Sequence, residues 1–518
     1  MTNCRKLTTI WRKKRKKILK FAKNFFVLIY SITFVLFLFV LARYWKLFQV
    51  EGLSPWTFPA VFLLKVGVGL LLFLIHIQTY NIDDLSHDGG TFLIESKYLN
   101  DVFYQSPKHY FQLLTGIGET TELINKYLYM TEYWSAGDLT LINDSKNVIR
   151  IHSIIHFFSG KSAVIHLAVL CLISTLALKN FYISFRKYSS QTNAVFFWVL
   201  VLVPSVIFWT SSLLKEPFLF LGISLLVRVI LINDVLIKRI FFFVISIVIL
   251  LMFKPYILAC IVLSLLCLIV FKYLLKGKLI PTILSLVSIL LFLGITFQKP
   301  RDKIVNYLTR KQFDFVNVGK GGLHVLSDSC FYYFQPDQYK NLKMIGNEVI
   351  LINETDAYIF KFGSTERPLP VHLKPTGKKW KRVYFTIGCA SYIETTPIKN
   401  SAIQLIKNTP ESLINSVLRP FPNDPGSKLK FLSFVEVWVI LLFFGLTIYF
   451  RKKLNFEEKN IVFTLLTFAL ILSLLIGWTT PVLGAIIRYR FPAQFALIIA
   501  GLILLKPLKD IKWKNTSS

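Results

Sequence analysis

Long runs of apolar side chains constrain this sequence more than any other feature. A helix needs about 18–20 apolar residues to cross a bilayer core of roughly 30 Å, and 54% of the residues are hydrophobic. About eleven runs approach that length, which predicts a mainly helical, polytopic membrane bundle. The runs are 25–43, 58–78, 162–179, 193–211, 217–233, 239–253, 256–271, 279–297, 431–450, 460–477 and 486–505. The first run has no small-residue cleavage pattern, so we do not expect a cleaved signal peptide.

Basic residues crowd the short segments on one predicted side of these runs. The net charge is +32, yet nucleic acid is not needed to explain it, because the positive-inside rule assigns such loops to the cytoplasm. The same charges suit an anionic membrane surface as partner. The basic positions are Lys179, Arg186, Lys187, Lys238, Arg239, Lys272, Lys276, Lys278, Arg451, Lys452, Lys453, Lys459, Lys506, Lys509, Lys512 and Lys514.

The order of the runs predicts four regions. Residues 1–57 form a basic arm with the first apolar helix, and 58–297 form a membrane core that contains the outer loop 79–160. Residues 298–429 form a small extracytoplasmic β-rich domain, and 430–518 form the last membrane helices and a basic tail. About six predicted spans separate the two large outer segments, which places both on the extracytoplasmic face.

The N-terminus conflicts with this topology. Its basic segment 12–17 belongs inside, yet only two predicted spans separate it from the outer loop. Either the run 25–43 does not cross fully, or the count differs by one elsewhere. The basic surface character of residues 11–23 favours an interfacial or re-entrant first helix.

The segment 298–429 has a different pattern from the rest of the chain. Its stretches 348–362, 371–375 and 380–393 alternate and are rich in β-branched residues, which predicts strands. Residues 401–419 favour helix. Cys330 and Cys389 both lie in this segment and are candidates for a disulfide.

An acidic cluster follows the second apolar run. Asp83, Asp84, His87 and Asp88 stand close together where a membrane span meets water. Carboxylates at such a place are costly beside lipid and have no packing role, which indicates function. The alternative is an acidic, glycine-containing turn that ends one helix and begins a loop.

Metal and nucleotide chemistry have less support. His152 and His156 are four apart on one predicted helix face, a spacing that can ligate a metal, but no third ligand is evident nearby. The sequence contains no CxxC, Walker, GxSxG or zinc-metalloprotease motif. ATP-driven transport and classical hydrolase chemistry are therefore not indicated.

Several cations lie on short segments that the topology places outside. The positive-inside rule disfavours them there, so they predict capture of an anion, such as the phosphate or diphosphate of a lipid-linked substrate. Snorkelling toward lipid headgroups is the alternative. The cations are Lys215, Lys254, Arg488 and Arg490.

Three short segments together resemble the GT-C class of integral-membrane glycosyltransferases, which use polyprenyl-phosphate-linked sugar donors. They are HDGGTFLIESKYL with Asp88, SSLLKEPFLFLGISLL with Glu216, and RYRFPAQFALIIAG with its arginines. The resemblance covers residues 58–297 and 430–505. The β-rich segment before the last spans is a departure, because the soluble domain of many relatives follows the membrane core.

The resemblance implies an inverting glycosyltransferase of the cytoplasmic (inner) membrane whose active face is extracytoplasmic. Its partners would be a polyprenyl-phosphate-sugar lipid and a glycan or lipid acceptor in cell-envelope polysaccharide biosynthesis. Asp88 would be the catalytic base, with Asp84 or Glu216 supporting it or holding a divalent cation, and Asp84 remains an alternative base. The substrate phosphate would be held by Lys215, Lys254, Arg488 and Arg490.

Other functions remain open at this point. An outer-leaflet polysaccharide polymerase or ligase that acts on lipid-diphosphate-linked glycans is the main alternative, and it would depend on the arginines more than on Asp88. A transporter is disfavoured because no internal repeat is evident. A purely structural membrane scaffold would explain the hydrophobicity but not the cations on the outer segments.

Overall fold

The structure, a computed structural model, describes residues 25–79, 88–134, 143–327, 330–346, 348–361 and 368–510. Within this part the protein is mainly helical and contains one antiparallel sheet. The chain divides into two compact units. The first comprises residues 1–187 and 192–258, and the second comprises residues 188–191 and 259–518.

Helices build the first unit, and polar caps set several of their ends. Asn143 accepts the backbone N–H groups of Ser145 and Lys146, and Thr192 accepts that of Val195. These bonds satisfy donors that a helix N-terminus otherwise leaves unpaired. The helices are α1 (Phe25–Tyr44), α2 (Thr57–Thr79), α3 (Asp88–Gln105), α4 (Pro107–Thr115), α5 (Thr121–Tyr127), α6 (Asp144–Ser159), α7 (Ala163–Phe185), α8 (Asn193–Val201), α9 (Pro204–Trp209), α10 (Glu216–Leu231), α11 (Leu236–Phe253) and α12 (Pro255–Ile269), which continues into the second unit.

The second unit combines helices with the sheet. Its helices are α13 (Leu279–Thr296), α14 (Gln298–Lys320), α15 (Ala402–Lys407), α16 (Thr409–Leu413), α17 (Lys430–Tyr449), α18 (Phe456–Thr479), α19 (Leu483–Tyr489) and α20 (Phe491–Leu504). A π-helical turn, Ile414–Leu418, follows α16. Gly477 of α18 lies so close to the backbone of Ser412 that an added Cβ would clash with its carbonyl oxygen. Glycine therefore permits the close approach of α16 to α18.

Seven strands lie between α14 and α15. They are β1 (Gly321–Ser327), β2 (Cys330–Phe334), β3 (Leu342–Ile345), β4 (Glu348–Leu351), β5 (Thr355–Phe360), β6 (Leu369–Leu373) and β7 (Lys379–Ile387). Their order in the sheet is β3-β4-β7-β1-β2-β5-β6, and every pair is antiparallel. Leu323, Val325, Val349 and Trp380 are buried in the core of this sheet. The predicted stretch 348–362 contains β4 and β5, 371–375 overlaps β6, and 380–393 is strand only as far as Ile387, where β7 ends. The predicted helical region 401–419 contains α15, α16 and the π-helical turn.

Seven of the described helices are long and apolar enough to cross a membrane, which supports a membrane protein but gives fewer candidate spans than the eleven predicted runs. They are α1, α2, α7, α11, α12, α17 and α18, and the pair α19 and α20, bent by 44°, raises the number to eight if it counts as one span. The run 193–211 forms two short helices that break before Pro204, and α10 has 16 residues. The described apolar part of α13, Leu279–Ile289, is also short.

Two further expectations can be compared with the structure. The first helix, α1, is continuous over 20 residues, so it has the length of a full span and lacks the break of a re-entrant segment. The basic segment 11–23 lies outside the described residues. No disulfide joins Cys330 to Cys389, so the candidate disulfide is absent between these two described residues.

Candidate functional site

Asp88, the predicted base, is the first residue of α3 and is half-buried. Its carboxylate lies near Glu132 and Tyr133. Desolvation raises the pKa of both side chains, and the negative charge of Asp88 raises each pKa further. Asp83, Asp84 and His87 lie outside the described residues, so the choice between Asp84 and Asp88 as base stays open.

A second carboxyl group, Glu95, lies two turns further along the same face of α3. One of its oxygens accepts the backbone N–H of Glu132, and its Oε2 atom is buried with no hydrogen-bond partner in the described part of the chain. Burial raises the pKa of Glu95 to about 7, although hydrogen bonds from the backbone of Glu132 and Tyr133 lower it. This acid is therefore partly protonated near neutral pH, and the sequence analysis did not select it.

Tyr133 connects the start of α3 to the start of α6. Its hydroxyl is hydrogen-bonded to Ser145, the second residue of α6. The neighbouring Asp144 forms an ion pair with Lys215. The Lys215 side chain is 9% exposed and the Asp144 side chain 41% exposed, so the ammonium group is buried and its partner reaches solvent. Polar contacts thus join Tyr133 to Lys215 through Ser145 and Asp144, and the charge of Asp88 acts on Tyr133 at one end of this series.

The turn that carries Lys215 is fixed by polar contacts with α2. Lys65 of α2 donates a hydrogen bond to Thr210, which follows α9. One turn further along α2, a Cβ at Gly69 would clash with the carbonyl oxygen of Ser211, so glycine lets the turn approach the helix. Pro217 in the first turn of α10 then favours the start of that helix directly after Lys215.

Glu216, the first residue of α10, forms a buried ion pair with Lys254. The Lys254 Nζ atom lies 3.4 Å from Glu216 Oε1, and the two side chains are 3% and 0% exposed. Lys254 occupies the break between α11 and α12. The structure therefore brings together three predicted site residues, and we call Asp144, Lys215, Glu216 and Lys254 the charge cluster.

A second buried charged network adjoins the charge cluster on α6. Glu119 accepts hydrogen bonds from Arg150 at 2.8 Å and from the Trp134 indole at 2.8 Å, and it lies 3.5 Å from Lys146 Nζ. Burial lowers the pKa of Arg150, and the Glu119 carboxylate opposes this effect. The sequence pattern did not single out these residues, although a lysine and an arginine four apart lie on one face of α6.

The histidines form a hydrogen-bonded group rather than a metal site. His152 Nδ1 and His166 Nδ1 lie 2.8 Å apart, and His156 Nε2 lies 3.0 Å from Ser96 Oγ. Burial lowers the pKa of His152 to about 4, which keeps its ring neutral. Within the described residues, no group of three or more His, Cys, Asp or Glu residues has the arrangement needed to hold a metal ion. The possible divalent cation stays a prediction, because Asp84, one of the residues that could hold it, lies outside the described residues.

The remaining predicted cations lie in the second unit, at the bend between α19 and α20. Arg490 is 2% exposed. It donates hydrogen bonds to the backbone oxygens of Ser416 and Arg419 and, at 2.8 Å, to the Ser433 hydroxyl. Most of its N–H groups therefore bind the chain itself. Arg488 is half-buried, with its guanidinium 5.8 Å from the centroid of the Tyr489 ring.

The described residues of the first unit thus combine carboxyl groups that can accept a proton with buried ammonium groups that can bind an anion. Such a combination suits acid–base chemistry on a phosphate-bearing substrate. Comparisons of the chain with models of protein families, with curated proteins and with solved structures found no match. The functional conclusion therefore depends on the residues of the site.

Proposed function

We propose that the protein is an integral-membrane glycosyltransferase that moves a sugar from a polyprenyl-phosphate donor to a glycan or lipid acceptor. The observation that carries this proposal is the charge cluster, in which two buried lysines and two carboxylates lie in a unit rich in apolar helices. Ionisable residues in such a setting are costly and typically functional. Apolar helices favour a substrate that reaches the site from the bilayer.

The proposed reaction assigns each group one task. Asp88 takes the proton of the acceptor hydroxyl while the acceptor oxygen bonds to the anomeric carbon. The bond from that carbon to the phosphate oxygen breaks, and its electron pair leaves with the phosphate. Lys215 and Lys254 stabilise the phosphate, and Glu216 and Asp144 hold the two ammonium groups in place before the donor binds.

The two arginines differ in how well they suit phosphate binding. Phosphate binding by Arg488 and Arg490 stays a prediction. Arg488 is the better candidate of the two, because the N–H groups of Arg490 already bind Ser416, Arg419 and Ser433.

The proposed site faces the extracytoplasmic side of the cytoplasmic membrane. This topology requires the outer segments 79–160 and 298–429 to share one face, as the arrangement of basic loops predicts. Tyr104 and Lys374 are well exposed, so each suits a single-cysteine variant in a cysteine-free background. A membrane-impermeant thiol reagent should label Tyr104→Cys and Lys374→Cys equally on intact cells. Labelling of only one position would disprove the shared face.

The alternative function is an outer-leaflet polymerase or ligase that uses lipid-diphosphate-linked glycans. The observation that favours it is the second pair of buried cations, Lys146 and Arg150, on α6 next to Asp144. A diphosphate carries more negative charge than a monophosphate and could use these additional cations. Glu119 already balances part of their charge, which makes the monophosphate donor the better fit.

The test uses Asp88→Asn in purified protein reconstituted into nanodiscs. Transfer is assayed with a panel of undecaprenyl-phosphate-linked sugars, and binding of undecaprenyl phosphate is followed by native mass spectrometry. Loss of a general base costs on the order of 10²–10⁴-fold in rate, while lipid binding should persist. Asp101→Asn, at the other end of α3, is the matched control and should keep full activity.

Three other outcomes would change the assignment. If Asp84→Asn is inactive while Asp88→Asn is active, the base is Asp84. If both variants stay active, the mechanism is wrong. If only diphosphate-linked glycans are consumed, the polymerase or ligase function replaces the one proposed.

A further inference from the structure

A small cavity in the second unit lies between α17, α18, α20 and the π-helical turn Ile414–Leu418. Its volume is about 30 Å³, and one side is open. A volume of this size holds a group no larger than a water molecule or a hydroxyl with its carbon. The lining residues are Ser416, Val417, Val437, Ile440, Leu441, Ser473, Arg490, Ala493, Gln494 and Leu497.

Two buried polar atoms of this lining have no hydrogen-bond partner among the residues that the structure describes. They are Nε of Arg490 and Oε1 of Gln494, on side chains that are 2% and 7% exposed. Such groups are rarely left unsatisfied in a folded protein. Arg490 and Gln494 are four residues apart, so their side chains lie on one face of the chain at the start of α20. Both residues line the cavity, so an occupant would lie beside one unsatisfied donor and one unsatisfied acceptor.

Arg490 Nε–H and Gln494 Oε1 together match the hydrogen-bonding capacity of a neutral hydroxyl group. A hydroxyl accepts a hydrogen bond from Arg490 Nε–H through its oxygen and donates one to Gln494 Oε1 through its hydrogen. A phosphate could accept from Arg490 but would meet the Gln494 carbonyl oxygen without a proton to share. The acidic Glu436 also acts electrostatically on Arg490, and a second anion there would be repelled.

The opening of the cavity is apolar. Val417, Leu441 and Leu497 are the partly exposed residues of its lining. On α17, the residue next to Leu441 is Leu442, which is 65% exposed. Because α17 and α18 are candidate membrane spans, this surface suits contact with hydrocarbon chains. An occupant that leaves by the opening therefore needs an apolar body.

We propose that the cavity binds a neutral lipid alcohol, with its hydroxyl between Arg490 and Gln494 and its chain leaving past Leu441 and Leu497. A polyprenol and a diacylglycerol share this chemistry. The proposal is independent of the glycosyl-transfer function, since it uses only the two unsatisfied atoms and the apolar opening. It also gives Arg490 a role different from the phosphate binding that the sequence predicted.

The test is photo-crosslinking of the purified, full-length protein in nanodiscs. The probe is a long-chain alcohol with a diazirine in its chain, compared with its methyl ether and its phosphate monoester. Loss of one hydrogen bond to a charged or buried partner reduces affinity by about tenfold. We therefore expect the alcohol to label residues 434–441 or 490–497 about tenfold more strongly than either analogue. Equal labelling by the ether, preference for the phosphate, or no labelling by the alcohol would overturn the proposal.

Two variants locate the site. Gln494→Leu removes the acceptor and should lower labelling about tenfold, and Leu441→Trp should block the opening. Leu442→Trp is the matched control because its side chain points away from the cavity toward the exposed surface. Unchanged labelling in both test variants would contradict the proposal even if one of them folded poorly. Displacement of the probe by decaprenol or by dioleoylglycerol supports the site and identifies the source, and displacement by neither overturns it.

Discussion

Lys254 in the first unit and Arg490 in the second are both buried cations on short segments beside apolar helices. Their hydrogen-bonding and ion-pair partners differ. Lys254 faces the carboxylate of Glu216, a side chain that is itself fully buried. Arg490 donates to backbone oxygens and a serine hydroxyl, and the carboxylate of Glu436 acts on it electrostatically without a hydrogen bond to it among those described. A buried ion pair brings two desolvated charges together, whereas backbone oxygens provide acceptors that the fold already supplies. The buried ion pair of the first unit is therefore costly, which supports the functional role proposed for it.

Breaking the Glu216–Lys254 pair should have the largest effect on stability. Glu216→Gln leaves Lys254 buried without its countercharge, so the free energy of unfolding should fall by about 3–5 kcal/mol. The double variant Glu216→Leu with Lys254→Met should recover most of this loss, because it removes both charges. Unfolding in detergent with increasing denaturant measures the difference.

The exposed pair Lys379 and Glu348 provides the control for this experiment. Its Nζ–Oε2 distance is 2.9 Å and its side chains are 60% and 48% exposed, so Glu348→Gln should cost no more than about 1 kcal/mol. If Glu216→Gln costs as little, the pair in the first unit is not desolvated and the comparison fails.

The next effect is a dependence of stability on pH that comes from Glu95. Its folded pKa of about 7 is raised above the ordinary value of 4.5. Between pH 4.5 and 7 the folded state therefore holds a proton that the unfolded chain has already lost. The free energy of unfolding should therefore fall as pH rises from about 4.5 to 7, by up to about 3 kcal/mol. Glu95→Gln should remove this slope, and Glu122→Gln, at an exposed position of α5, should leave it unchanged. A slope that survives Glu95→Gln would assign it to another group.

Ser433→Ala tests the hydrogen bonds of Arg490 and should have the smallest effect on the free energy of unfolding. It removes one of the acceptors of Arg490, so the free energy of unfolding should fall by about 1–2 kcal/mol. Binding of undecaprenyl phosphate should not change if Arg490 serves packing. Native mass spectrometry of the same preparation measures binding, and a parallel loss of binding would restore a phosphate role to Arg490.

The sequence predicted the helices better than it predicted their breaks. Hydrophobicity alone located the seven long apolar helices, because a span requires a continuous apolar run. The run 193–211 was misleading, since its residues are apolar throughout while Pro204 begins a new helix. Strands β4 to β7 were predicted from their alternation, and β1, which begins with two glycines, gave little strand pattern.

The candidate site shows what local patterns cannot reveal. Lys215 and Lys254 were selected as cations on short outer segments, and Glu216 was selected through the resemblance to GT-C glycosyltransferases. Their partners lie far away in sequence: Lys215 pairs with Asp144, and Glu216 pairs with Lys254. Glu119 escaped attention because its role depends on Arg150, 31 residues further along the chain. Such pairings follow from the packing of helices, which a single sequence does not specify.

The most direct test of the central claim is a cryo-electron microscopy map of the protein with undecaprenyl phosphate. The account predicts density for the phosphate within about 3 Å of the ammonium group of Lys215 or Lys254, the distance of a charge-assisted hydrogen bond. The Asp88 carboxylate should face the same space. A phosphate bound away from both lysines, with the Glu216–Lys254 pair unchanged, would contradict the proposed donor site.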